Sequence, residues 1–90
     1  MSQVDPESLL VFPCDFPIKV MAHARENIEA SIVTIVRRHV PDLGEGAVTT
    51  RMSKGGKYLA VTATFQAQSR AQLDALYQEL TTQEFVVMVL

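Results

Sequence analysis

Between Glu45 and Asp74 the chain carries no acidic residue, yet Arg51, Lys54, Lys57 and Arg70 all fall in that interval. Arg51, Lys54 and Lys57 bracket a Gly55-Gly56 pair. Cations at this spacing around a tight turn can hold a carboxylate or a phosphate, with the backbone N–H groups of residues 53–56 adding donors. The same run also suits a solvated turn tip and a charged edge strand that resists sheet-to-sheet pairing. Arg51, Lys54 and Lys57 are therefore the candidate anion-binding side chains. His23 joins them because it flanks a predicted strand-to-helix loop.

Other chemistries find less to work with. No Ser-His-Asp, Cys-His or paired-carboxylate arrangement has motif-level spacing, and residues 22–27 do not spell a phosphate-cradling loop, so no enzyme is expected. Glu26 and Glu29 suit an exposed first helical turn. His23 and His39 are separated by a predicted helix, and Cys14 has no CxxC partner, so neither a metal site nor a cofactor is expected. As the sole cysteine, Cys14 also excludes an intramolecular disulfide and fits a reducing compartment, with cytoplasm as the expected location. A formal net charge of −2 argues against a general nucleic-acid binder. The first dozen residues lack a basic start, and their apolar run is too short for a signal peptide or a membrane span.

The elements that must position these residues are organised around 57–67. There Leu59, Val61, Ala63, Phe65 and Ala67 alternate with Tyr58, Ala60, Thr62, Thr64 and Gln66, which predicts a central strand with one buried face. Residues 16–23 predict a first strand, with Ile18, Val20 and Ala22 on one side and Lys19, Met21 and His23 on the other. Ile28, Ile32, Ile35 and Val36 form one stripe of a helix over 25–40, closed by Pro41. His39 reads as a polar helix end. A strand over 47–53 and the turn at 54–56 make a hairpin with the central strand. Ser69 and Gln72 form a capping box for a second helix with Leu73, Leu76, Tyr77 and Leu80 inward. Residues 84–90 predict a final strand, apolar on both faces. Residues 1–15 are an N-terminal arm with a helical turn at Asp5-Pro6-Glu7 and apolar anchors at Leu9, Leu10, Val11 and Phe12.

Ninety residues in the order βαββαβ make one domain, 1–90, of the α+β class: a ferredoxin-like four-stranded antiparallel sheet with both helices on one face. The other sheet face stays open. Strict alternation puts Met21, Tyr58, Phe85, Val87 and Val89 together on it, ringed by Lys19, His23 and Thr62. An apolar group of that size points to an interface, with a homo-oligomer ahead of a protein partner, a ligand or the N-terminal arm. Tyr58 alone does not make an RNA-stacking sheet, since the first strand offers no second aromatic on that face.

Four motifs then stand in order: F-P-x-x-F-P-x-K-V-M at 12–21, R-R-H-x-P at 37–41, R-x-S-x-x-G-K-Y at 51–58 and V-x-M-V-L at 86–90. From about Leu9 to the C-terminus the chain resembles the YbeD-like family of small bacterial proteins. That resemblance implies a fold similar to the ACT regulatory domains, which bind amino acids or other small effectors and pair through their sheets. It implies a regulatory module, either sensing a small anionic effector or acting as a protein adaptor, and it carries over no catalytic residues. Ligands of ACT-like domains lie near the strand-to-helix edge, where His23 is expected. The chain departs from the family pattern at Ala60, where Ser is common, and at Val87, where a polar or basic residue is expected.

Overall fold

Ten residue pairs run without interruption between Cys14–His23 and Tyr58–Ala67, from Cys14 opposite Ala67 to His23 opposite Tyr58. This antiparallel ladder is the middle of the computed structural model, which describes residues 3–4 and 11–90. The strands are β1 (Gln3–Val4), β2 (Val11–Phe12), β3 (Cys14–His23), β4 (Val48–Met52), β5 (Tyr58–Ala67) and β6 (Val86–Val89); the helices are α1 (Ile28–His39) and α2 (Arg70–Thr81). A 3-10 turn, Glu45–Ala47, leads into β4. The main sheet has the order β4-β5-β3-β6 and is antiparallel throughout. This is the predicted ferredoxin-like α+β arrangement. The short β1 pairs with β2. Of the predicted arm, Phe12 is buried in the core and Val11 is exposed, while the turn at Asp5-Pro6-Glu7 and the anchors Leu9 and Leu10 lie outside the described residues.

The core forms because two periodicities meet. Ile18, Val20 and Ala22 on β3 and Leu59, Val61, Ala63, Phe65 and Ala67 on β5 are all buried. They pack against the stripe Ile28, Ile32, Ile35 and Val36 of α1 and against Leu73, Leu76 and Leu80 of α2. The alternate residues of both strands are left on a sheet face that neither helix covers.

Helix ends are fixed locally. The first helix starts later than predicted because Asn27, with φ 64°, stands in the left-handed region that Asn tolerates better than most residues. Upstream, the Ala24 N–H still bonds the Lys57 carbonyl at 2.9 Å, so the chain follows the sheet to that point. At the start of α2 the Ser69 Oγ accepts from the Gln72 N–H at 3.1 Å, as a capping box requires. The return bond is displaced by one residue: Gln72 Oε1 accepts from the Gln68 N–H at 2.7 Å. Gln72 Nε2 then donates to the His39 carbonyl at 2.9 Å, satisfying an orphan group at the end of α1.

The final strand departs from simple alternation. Val89 pairs with Val20 and Val86 with Ala22, both on the core side, and the register shifts between Met21 and Ala22. Val87 is the extra residue of this bulge. Val89 therefore packs against the core, and Phe85, in the turn ahead of β6, does so as well, which corrects their expected place beside Met21 and Tyr58. Met88 takes the outward position opposite Met21, with Val87, Met88 and Leu90 exposed.

Across the helical layer, Glu79 accepts hydrogen bonds from His39 Nε2 at 2.8 Å and from Arg38. These bonds, His39's foremost, hold the Glu79 carboxyl below its ordinary range against the opposing effect of burial. A carboxylate whose folded pKa is lowered stabilises the fold above the ordinary glutamate range, and that increment is lost as pH falls through the folded value. In thermal melts from pH 7 down to 3, Tm of the wild type should therefore fall more steeply than that of Glu79→Gln. Parallel curves would remove Glu79 as an acid-sensitive clasp.

Candidate functional site

The open face can be built row by row from the strand register. One row holds Thr49, Thr62 and Lys19; the next holds Arg51, Ala60 and Met21, with Met88 beyond; the third brings Tyr58 opposite His23. Ser53 stands beside Tyr58, its N–H bonding the Tyr58 carbonyl at 2.8 Å. The His23 and Tyr58 rings are 5.6 Å apart, tilted by 38°.

Ala60 is the smallest side chain in the middle of these rows, and the surface dips over it. One shallow groove of about 310 Å³ is lined by Lys19, Thr49, Thr50, Arg51, Ala60 and Thr62. A second of about 180 Å³ runs on from it past Met21, Met52, Ser53 and Tyr58. Lys19, Arg51 and Ala60 line both. Lys19 and Arg51 come from strands on either side of β5 and from neighbouring rows, so about 12 Å separates their backbones along the diagonal, a span that two long cationic side chains can close on one small anion. Neither takes part in an ion pair among the described residues, where the cation partners are Arg25, Arg38, His39 and Arg70. No acid among the described residues lines either groove. Asp15 is four residues from Lys19 along β3, or about 13 Å of strand.

The predicted anion residues are thus divided. Arg51 lies on the sheet face with Lys19, which the sequence reading places beside the apolar patch and leaves out of the anion set. Lys54 and Lys57 stand exposed at the hairpin tip and line neither groove. His23 sits at the far row, beside Tyr58. Arg70 is in the helical layer, bonded to Asp74 at 3.2 Å.

The turn itself is also different from the expected donor nest. Gly55 and Gly56 have φ of 91° and 75°, a conformation that only glycine adopts without strain. The Gly56 N–H bonds the Ser53 carbonyl at 2.9 Å and the Ser53 N–H is held by Tyr58, so two of the four backbone donors at 53–56 are already used inside the hairpin. Among the described residues there is no group of three or more His, Cys, Asp or Glu that could hold a metal ion, and no helix is long and apolar enough to cross a membrane.

Comparison with known proteins places this geometry in a family. Residues 7–90 match the family described as "Protein of unknown function (DUF493)". The chain belongs to the DUF493 family. Similar members include a UPF0250 protein of Nitrosomonas europaea, 44% identical over 93% of this chain and 97% of its own length. Another from Paraburkholderia phytofirmans is 46% identical over the full length of both chains. The YbeD-like resemblance is thereby shown. Among solved structures, the solution structure of protein HP0495 from H. pylori matches with a TM-score of 0.71, covering 90% of this chain and 85% of that one. At 12% identity that likeness shows the ferredoxin-like fold alone.

In this DUF493 protein the Ser53 Oγ accepts from the Tyr58 N–H at 2.9 Å, which locks Tyr58 at the hairpin base. Ser53→Ala should cost about 1 kcal/mol in urea unfolding and speed amide exchange at Tyr58. An unchanged exchange rate would show that the glycine turn alone holds the hairpin.

Proposed function

We propose that this DUF493 protein is a non-catalytic regulatory module that binds a small anion on its open sheet face. The observation that carries the reading is the meeting of Lys19 and Arg51 on one depression over Ala60 that no described acid lines. Each cation about 4 Å from a bound anion contributes on the order of 1 kcal/mol in water and more where the side chains exclude solvent. Arg51 can bind a carboxylate or phosphate through two parallel N–H donors, while Lys19 acts as a point charge. The grooves hold hydroxyls from Thr49 and Thr62 that can donate to the same ligand, but no described histidine or carboxylate among their lining residues, which favours binding over turnover.

A panel of carboxylates and phosphate esters at low ionic strength tests this by thermal shift. At a hundredfold excess over Kd a ligand adds about 2.7 kcal/mol, worth roughly 10 °C or more in a domain of this size. Arg51→Gln and Lys19→Gln should each abolish most of the shift, and Lys54→Gln should leave it nearly whole. Loss of the shift in Lys54→Gln alone would move the site to the hairpin tip.

A second reading, self-association, rests on the β6 edge, where Val87, Met88 and Leu90 are exposed without a charge among them. Its occupant would be a second copy of this chain. Light scattering at micromolar concentration should then report a dimer that Met88→Asp returns to monomer; a wild-type monomer ends this reading.

A further inference from the structure

We infer that the ligand of the open face is an organic anion with a flat or short apolar body, and that neither an inorganic anion nor an amino acid is its natural occupant. The inference rests on the proposed anion site and adds to it the second groove. From the Lys19 and Arg51 end, the surface changes character within one cross-strand row. Beyond Ala60 the lining is Met21 and Tyr58, the latter 36% exposed, with Met52 at the β4 edge one residue out of step with the open face. Rows on one sheet face are about 7 Å apart, which is the reach of one aromatic ring on a short chain. An anionic head between Lys19 and Arg51 therefore sets such a body down on the Ala60 methyl, between the Tyr58 ring and the Met21 thioether.

Each wall suits that body. Tyr58 is held by its backbone bonds to Ser53 and by the His23 ring 5.6 Å away, so it offers a pre-set face for offset stacking. Methionine sulfur is polarizable and adapts to a ring edge. Ala60 is decisive because a bulky side chain there would fill the depression, and its partner Met21 faces the same space from β3. A free inorganic anion would leave this half of the surface unused. An amino acid would bring an ammonium group between two cations, with no described carboxylate lining either groove to receive it.

The test is an amide-detected NMR titration of the whole chain with 3-phenylpropionate, acetate, inorganic phosphate, phenylalanine and 3-phenylpropylamine. The expected result is saturable shifts at Lys19, Met21, Tyr58 and Ala60 with 3-phenylpropionate, at a Kd at least tenfold below those of the other four. Ala60→Phe should lose that preference while keeping its response to acetate, and Ala60→Ser, with its small floor retained, should keep it. Because Ala60 points away from the core, the spectrum of the unliganded variant reports directly whether the fold survives. If acetate or phosphate binds as tightly as 3-phenylpropionate, the anion site stands and the apolar half is overturned. If phenylalanine equals 3-phenylpropionate, the exclusion of amino acids is overturned. If 3-phenylpropylamine equals 3-phenylpropionate, the anion reading falls. Absence of shifts on the open face with every probe overturns both.

Discussion

The register of the ladder between β3 and β5 is the constraint on which the rest of the molecule depends. Because side chains alternate with a period of two, a slip of one residue would turn Ile18, Val20 and Ala22 out to water and bring Lys19, Met21 and His23 into the core. Burial of the first set is nearly complete, so the hydrophobic effect fixes the register far more firmly than any contact on the open face could. The positions of Lys19, Met21 and Tyr58 around Ala60 then follow as by-products of core packing. A surface site built this way needs no strained backbone and no buried charge, and its side chains can vary without disturbing what holds them in place.

The helices serve this ladder by covering one side of it. Their mutual position is set by Gln72, which bridges the two helix ends, and by Glu79, which takes hydrogen bonds from the last turn of α1. Both are polar side chains at the rim, where partial exposure keeps the cost of dehydration low. The two devices leave the interior of the helical layer purely apolar.

Much of this was legible because the sequence states its periods clearly. The alternation in β5, the isoleucine stripe of α1 and the Ser69 cap each specify one local structure, and together they specify the fold. Where legibility failed, a physical reason is visible. In β6 both faces are apolar, so hydrophobic pattern could not choose between registers; a bulge at Val87 reversed the parity expected for Val89, and Phe85 falls in the turn ahead of the strand, where alternation does not apply. The start of α1 was hidden because a left-handed Asn27 leaves no periodic trace. The anion site was half legible. Counting charges along the chain groups Arg51 with Lys54 and Lys57, whereas pairing across strands groups it with Lys19, which is distant in sequence. Reading the open face by rows would have found that pair, since Lys19, Thr62 and Thr49 follow directly from the strand alignment.

The distribution of charge explains why a chain with net charge −2 can still present a cationic surface. Beyond Asp15, every described acid belongs to a helix or a loop: Glu29 to α1, Asp74 and Glu79 to α2, and Glu26, Asp42, Glu45 and Glu84 to the connections. Several of these are already engaged with cations of their own layer, as Glu84 is with Arg25 and Glu79 with Arg38 and His39. Packed layers stand about 10 Å apart, and the Debye length at physiological ionic strength is about 8 Å, so acids beyond the sheet are largely screened from the open face. Lys19 and Arg51 consequently act on that face as if the acidic balance of the chain were absent. The net charge governs long-range encounters with polyanions, which it opposes, while the local pair governs what a small ligand meets on arrival. A weak global field of one sign and a local site of the other discriminate between a nucleic acid and a small anion without any further element of structure.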